Sequence, residues 1–369
     1  MIKQKLKSIY KRLVTGLMSN SSTLLGNNWN VSDCQEFEGF RKCLDCSVTY
    51  RVDTIQLEKT KEKHKWVGAQ INNGTVFAIP NDETLVLCYG INGCKYIEGI
   101  KKGLFKWTGG CVWNNSIYCF PRTSNSFLKI SEEEVREIPL STEYNGEHHY
   151  SGVCTRAGIV YQPPRNTNHI LKTDLRTGLS NRIDIVDKKY KVNFRYCGSI
   201  IHPNGFIYFF PESGRVIKFN PATDKWCFIG KSLSTMCFDA KVGMDGNIYG
   251  YSAYCNGIMK IDVISDGVEM IHQEITPGAY GTKYGLDGCL YSVPGDGSCI
   301  WKYDVVSDTI NMVYDLKDDS KAKYAGGLTL PNGELVFIPA TASSLLIIKP
   351  DKNTKIPESI YKVFCQDNY

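Results

Sequence analysis

Seven times along this chain an aromatic residue leads into a short apolar stretch, a Gly- or Asn-bearing turn follows, and a segment of the form x-φ-aromatic-x-x-Pro comes next. The first copy reads Lys65-Trp66-Val67-Gly68 … Asn73-Gly74-Thr75-Val76-Phe77-Ala78-Ile79-Pro80. The fourth reads Arg195-Tyr196-Cys197-Gly198 … Asn204-Gly205-Phe206-Ile207-Tyr208-Phe209-Phe210-Pro211. The turn anchors Gly74, Asn115, Gly158, Gly205, Gly246, Gly288 and Gly333 are spaced by 41, 43, 47, 41, 42 and 45 residues. A period of that length, strand-like and without helical periodicity, is what one four-stranded propeller blade occupies. The spacing therefore predicts an all-β chain: a seven-bladed β-propeller of four-stranded antiparallel blades over residues 64–369, preceded by an N-terminal extension, 1–63.

In the fourth copy the strands are predicted over Tyr196 to His202, Phe206 to Phe210, Arg215 to Phe219 and Lys225 to Ile229. Pro203-Asn204-Gly205 and Asn220-Pro221-Ala222-Thr223-Asp224 supply the hairpin chemistry, Gly giving a positive φ without steric cost. Tyrosine is in excess, with 22 residues, because the position three after each anchor is aromatic in six copies of seven: Phe77, Tyr118, Tyr161, Tyr208, Tyr249 and Tyr291. An aromatic there suits a strand pressed between neighbouring blades. The seventh copy runs from Tyr324 to about Val363, with its fourth segment read as Lys355 to Ile360. The stretch Val48 to Ile55 also alternates like a strand. Two readings of it stay open, a latch joining the last blade to the first and an extra strand capping one blade.

Within the extension, Met1 to Met18 spaces Ile2, Leu6, Ile9, Leu13 and Leu17 at helical steps among Lys3, Lys5, Lys7, Lys11 and Arg12. This reads as a short amphipathic basic helix. Docking on the propeller is favoured over a peripheral membrane anchor or targeting element. Cys43 and Cys46 form one Cys-x-x-Cys pair, but a structural zinc site needs four ligands and Cys34 with His64 would supply the other two at an unusual spacing, so plain thiols are expected.

A net charge of +5 and the lack of a long cationic block within the repeats argue against general nucleic-acid binding. Fifteen cysteines, an odd number spread over strand positions, fit reduced thiols in a cytoplasmic protein. No apolar run reaches the length of a transmembrane segment. A monomer without cofactor or metal is expected.

The fourth copy resembles a kelch repeat: Arg195-Tyr196-x-Gly198, then Asn204-Gly205-x-Ile207-Tyr208, then Phe219-Asn220-Pro221-Ala222-Thr223-Asp224-Lys225-Trp226. Where kelch repeats carry a Gly-Gly doublet this chain has Ile79-Pro80, Phe120-Pro121, Phe210-Pro211, Val293-Pro294 and Ile338-Pro339, so another propeller family with an NGxIYxxP signature stays open. The resemblance implies a binding module or substrate adaptor. Kelch-like propellers also include a copper-oxidase branch, but its histidine and tyrosine ligand set is not recognisable among the six histidines of this chain.

No nucleophile elbow, phosphate loop or calcium loop is legible, and the doublets Gly109-Gly110 and Gly326-Gly327 read as close backbone contacts at the channel. The residue before each leading aromatic is Lys65, Lys106, His149, Arg195, Cys237, Ala279 and Lys323. Five of the seven, Lys65, Lys106, His149, Arg195 and Lys323, are basic or titratable and are expected to ring one mouth of the channel, where their fields add. The loops between second and third strands are variable and share that face, so recognition is expected there. The expected function is a non-catalytic recognition or scaffold propeller, binding a protein segment or an anionic small ligand at the mouth. The alternative is a propeller hydrolase, lyase or oxidase with active-site residues dispersed over the blades.

Overall fold

The computed structural model describes residues 44–45, 47–57, 63–131, 134–141, 149–185 and 195–352. Every regular element among them is a strand, and the strands form seven four-stranded antiparallel sheets, the blades of a single propeller. The fourth blade runs Tyr196–Ile201, Ile207–Pro211, Ser213–Asn220 and Lys225–Ser234, in that spatial order, within a few residues of the boundaries expected from its turns. The extension's basic helix, Cys34, Cys43, Cys46 and the expected strand Lys355 to Ile360 lie outside the described residues.

The last blade is assembled from both ends of the described chain. Its three inner strands are Tyr324–Thr329, Leu335–Pro339 and Ser344–Pro350, and its outer strand is Tyr50–Gln56. That strand, assigned to the extension by sequence, takes the place expected for 355–360. The pairing runs in register from Tyr50↔Pro350 to Gln56↔Ser344. Side chains reinforce it: Lys349 Nζ meets Asp53 at 2.8 Å, and Thr49 donates its backbone N–H and its hydroxyl to Asp351 at 3.0 and 2.8 Å. The Tyr50 hydroxyl accepts the Leu286 N–H at 2.6 Å, so the latch also grips the sixth blade.

Inside the first, second and fourth blades the same tether recurs. Trp66 Nε1 donates to the Leu85 carbonyl (2.8 Å), Trp107 Nε1 to that of Ser126 (2.7 Å), and the Tyr196 hydroxyl to that of Arg215 (2.7 Å). Each buried aromatic of a first strand thus fixes the start of the third strand while filling the space between blades. Neighbouring blades are stitched at their outer hairpins. Lys172 reaches Asp224 of the next blade at 2.6 Å, Lys218 reaches Asp266 at 2.8 Å, and His272 reaches Asp308 at 3.0 Å. The three aspartates hold the same left-handed turn conformation, φ 55°, 58° and 55°. Partly exposed pairs of this kind contribute about 1 kcal/mol or less each.

Toward the axis the first strands crowd together. A Cβ on Gly326 would lie 2.9 Å from the Gly68 Cα, and one on Gly68 would lie 3.2 Å from the Gly109 Cα. All three glycines have positive φ, so the backbone conformation and the lack of room both select glycine.

Two expectations follow. Removing the chain through Gln56 exposes the whole edge of Ser344–Pro350, so the truncated protein should melt at lower temperature and scatter light on heating, as an unprotected edge does. The second concerns His202, fully buried in the turn of the fourth blade. Its Nε2–H donates to the Gly246 carbonyl at 2.9 Å, and its Nδ1 accepts the Asn204 N–H at 3.0 Å. Burial lowers its pKa from 6.5 to about 4. Between those values the unfolded chain binds a proton that the folded one refuses, so stability should be full above pH 6.5 and decline as pH falls toward 4, by on the order of 3 kcal/mol. In His202→Gln, denaturant melts should lose that slope; an unchanged slope would show that His202 is not its source.

Candidate functional site

A cavity of about 270 Å³ opens at one end of the channel, on the face carrying the loops between second and third strands. Two repeated positions build its wall. The first follows the proline that ends each second strand. Asn81, Arg122, Arg165 and Ala340 hold it in the first, second, third and seventh blades and all four line the cavity, while Glu212 holds it in the fourth and pairs with Arg165. The second position lies on the first strands, where Val67, Thr108 and Ala325 face the cavity just after the buried aromatics Trp66, Trp107 and Tyr324.

Three blades depart from this pattern. The residue paired with the strand-ending proline is Trp66 (Pro80), Trp107 (Pro121), Tyr196 (Pro211) and Tyr324 (Pro339), but it is His149 (Pro164) in the third blade and Ala279 (Pro294) in the sixth. Aligning the repeats on their aromatics therefore slips these copies by one residue. The aromatics Tyr150 and Tyr280 lie one step further along and turn into the cavity, joined there by Phe238 of the fifth blade.

The five residues expected at the mouth lie elsewhere, and none lines the cavity. Lys65, Lys106 and Lys323 do recur at one position, but they are buried between blades. Lys106 Nζ donates to the carbonyls of Asp82 (3.1 Å), Glu83 (3.0 Å) and Gly103 (3.3 Å), Lys65 to that of Thr341 (3.2 Å) and Lys323 to that of Ser320 (2.7 Å). Desolvation lowers the pKa of Lys65 and Lys323. These ammonium groups fasten the blade connections to the neighbouring loops. His149 is buried against His169, ring centroids 5.1 Å apart, and Arg195 is exposed.

The cavity nevertheless has a basic side. Three cations, Arg122, Arg165 and Lys283, line it; the buried Lys283 is paired with Asp239, which lines it too, and Arg165 with Glu212. The Arg122 guanidinium lies 4.5 Å from the Phe105 ring centroid and 5.0 Å from that of Tyr150, and Arg165 lies 5.5 Å from Tyr150. The contacts continue as a chain of rings: Tyr150 stacks on Phe238 (5.6 Å), Phe238 meets Tyr280 (5.0 Å), and the Tyr280 hydroxyl lies 3.4 Å from that of Tyr254 and donates to Asp296 at 3.1 Å. A guanidinium held on an aromatic face keeps its edge, with its N–H donors, directed along the ring planes, a geometry suited to carboxylate or phosphate. His64, beside Phe105 at 5.8 Å, adds a titratable group to the same rim.

Among the described residues no three His, Cys, Asp or Glu side chains are grouped to hold a metal ion. The described cysteines are free thiols, and burial raises the pKa of Cys88 to about 11 and of Cys197 and Cys237 well above the ordinary thiol value, which removes the thiolate a nucleophile needs.

If Lys106 is a structural fastener, Lys106→Met should strand three carbonyls and lower unfolding free energy by about 1–3 kcal/mol while leaving ligand affinity of the folded protein unchanged. Chemical denaturation and calorimetric titration of the same sample would separate the two effects.

No protein-family model matches the chain, and no curated protein matches it in sequence. Solved structures do resemble it. A streptogramin B lyase superimposes with a TM-score of 0.66 at 15% identity, over 82% of this chain and 98% of that one. A virginiamycin B lyase from Staphylococcus aureus, a catalytically inactive variant solved with quinupristin, gives 0.68 at 13% identity, over 82% and 99%. The extracellular domain of a putative one component system from B. thetaiotaomicron gives 0.59 at 11% identity, over 80% of this chain and 39% of that one. At such identities the likeness is one of fold, and the fold is the seven-bladed β-propeller.

Proposed function

We propose that this chain is a non-catalytic recognition propeller that binds an anionic group, on a small ligand or a protein segment, at the channel mouth. The observation that carries the reading is the Arg122 guanidinium braced on the rings of Phe105 and Tyr150 in the cavity wall, with Arg165, paired with Glu212, beside it. Two braced guanidiniums at a concave mouth have little side-chain freedom left to lose on binding, which favours affinity. The kelch-like order of the fourth copy supports the same role, since that pattern occurs in binding modules. The extracellular domain of the putative one component system is a second propeller of this shape outside the lyases.

A panel of carboxylates, inorganic phosphate and acidic peptides, read by thermal shift and titration calorimetry, tests the reading. Binders should raise the melting temperature, and Arg122→Ala should weaken them by about 1.5–3 kcal/mol, the range for a hydrogen bond to a charged group. Raising salt should weaken binding as well, since the mouth is open and screening acts over about 8 Å at physiological ionic strength. Arg195→Ala should leave it unchanged. If no anion binds, or if binding is indifferent to Arg122, the proposal fails.

A catalytic reading has one observation in its favour, the likeness to two lyases along nearly their whole length. His64 is the histidine such chemistry would draw on at this mouth. Mass spectrometry of quinupristin after incubation with the protein would decide: cleavage that is lost in His64→Ala would favour an enzyme, and intact quinupristin would leave recognition as the reading.

A further inference from the structure

We infer that the anion recognised at the mouth is a small planar aromatic one, a flat ring bearing a carboxylate or phosphate. This rests on the channel mouth being an anion site, and adds what the rest of the ligand must be. The reason lies in the repeat. On the first strands the cavity-facing position is a small or aliphatic residue in three blades, Val67, Thr108 and Ala325, whereas Tyr150, Phe238 and Tyr280 project there from the third, fifth and sixth. The aromatics are therefore gathered on one side of the cavity rather than being spread by the symmetry of the fold. Their polar neighbours are already engaged: Asp239 by Lys283, and Asp296 by the Tyr280 hydroxyl and the Ala322 N–H. What that side offers a ligand is ring faces and edges.

At the rim of this wall Tyr254 is 59% exposed, although its hydroxyl is within 3.4 Å of Tyr280. A large aromatic left in water beside a cavity lined by other rings is a surface on which a ring can stack, and an offset or edge-on pair contributes beyond its buried area. Arg122 and Arg165 stand at the opposite end of the same chain of rings, with Tyr150 common to both. A ligand that satisfies both ends carries its charge toward Arg122 and Arg165 and its ring toward Phe238, Tyr280 and Tyr254. The cavity volume of about 270 Å³, just below the usual range of small-molecule pockets, suits one ring with its charged group.

The test is a set of calorimetric titrations on the full chain with inorganic phosphate, phenyl phosphate, acetate and benzoate. Phenyl phosphate should bind about three- to tenfold tighter than inorganic phosphate, and benzoate than acetate, the increment expected of aromatic pairing. Tyr254→Ala should remove most of that preference while leaving the affinity for inorganic phosphate unchanged, and Tyr254→Phe, which keeps the ring, should retain it. Arg122→Ala should weaken both members of each pair. Equal affinity for the ring-bearing and ring-free anions would overturn this inference and leave the anion site standing, as would a Tyr254→Ala effect that falls equally on both. Failure of all four anions to bind, or binding indifferent to Arg122, would remove the anion site and this inference with it.

Discussion

The pairing of Tyr50–Gln56 with Ser344–Pro350 is the constraint on which everything else in this molecule rests. Seven blades packed in a row would leave an open face at each end and no channel. Closing the circle buries the faces of the two end blades against each other and turns a row of repeats into a ring with an axis. Since the closing strand comes from one end of the described chain and its partner from the other, closure joins positions almost 300 residues apart, and its loop-closure entropy must be met by that one ladder and the side chains around it. The Lys349–Asp53 pair and the bonds of Thr49 to Asp351 lie where that demand is greatest.

Once the ring is closed, the first and second blades show how labour is divided by position. The buried aromatic of the first strand tethers its own blade, the lysine before it fastens the connection, and the residue after the strand-ending proline faces the mouth. Adjacent residues along the strand thus serve stability and recognition in turn, because a strand directs neighbouring side chains to opposite faces. The lysine one position before the aromatic is structural because its ammonium is spent on main-chain carbonyls of the neighbouring loops, whereas the residue one position after the proline lines the cavity.

Much of the architecture was legible in the sequence because hairpin turns announce themselves: the Asn-Gly and Asp-Gly anchors at near-constant spacing led to seven blades, and the strand boundaries of the fourth copy followed from its turns. The latch was legible only as one of two readings, since alternation in Val48 to Ile55 says strand but does not name a partner. For one of the five candidates, His149, the reading is one residue out of register. Aligning on the aromatics treated Tyr150 and Tyr280 as equivalents of Trp66, and in a strand a one-residue slip exchanges inside for outside. Had the prolines been used as the anchor, His149 would have fallen with the buried aromatics, and Arg122 and Arg165 would have stood out as the charged residues after Pro121 and Pro164. The loops containing them were already recognised as variable and as sharing one face.

The close approach of Gly326, Gly68 and Gly109 gives the channel a rigid side and a permissive one. Around the seventh, first and second blades, main chain meets main chain, and any added side chain would have to displace the ring itself. Around the third, fifth and sixth blades the wall is made of side chains, Tyr150, Phe238 and Tyr280, packed on one another and on a small cluster with Cys197, Met236 and Ala253. Selection, natural or in the laboratory, that exchanges Tyr150, Phe238 or Tyr280 therefore redraws what the mouth accepts at a cost that falls on their own cluster and not on the glycine contacts across the channel.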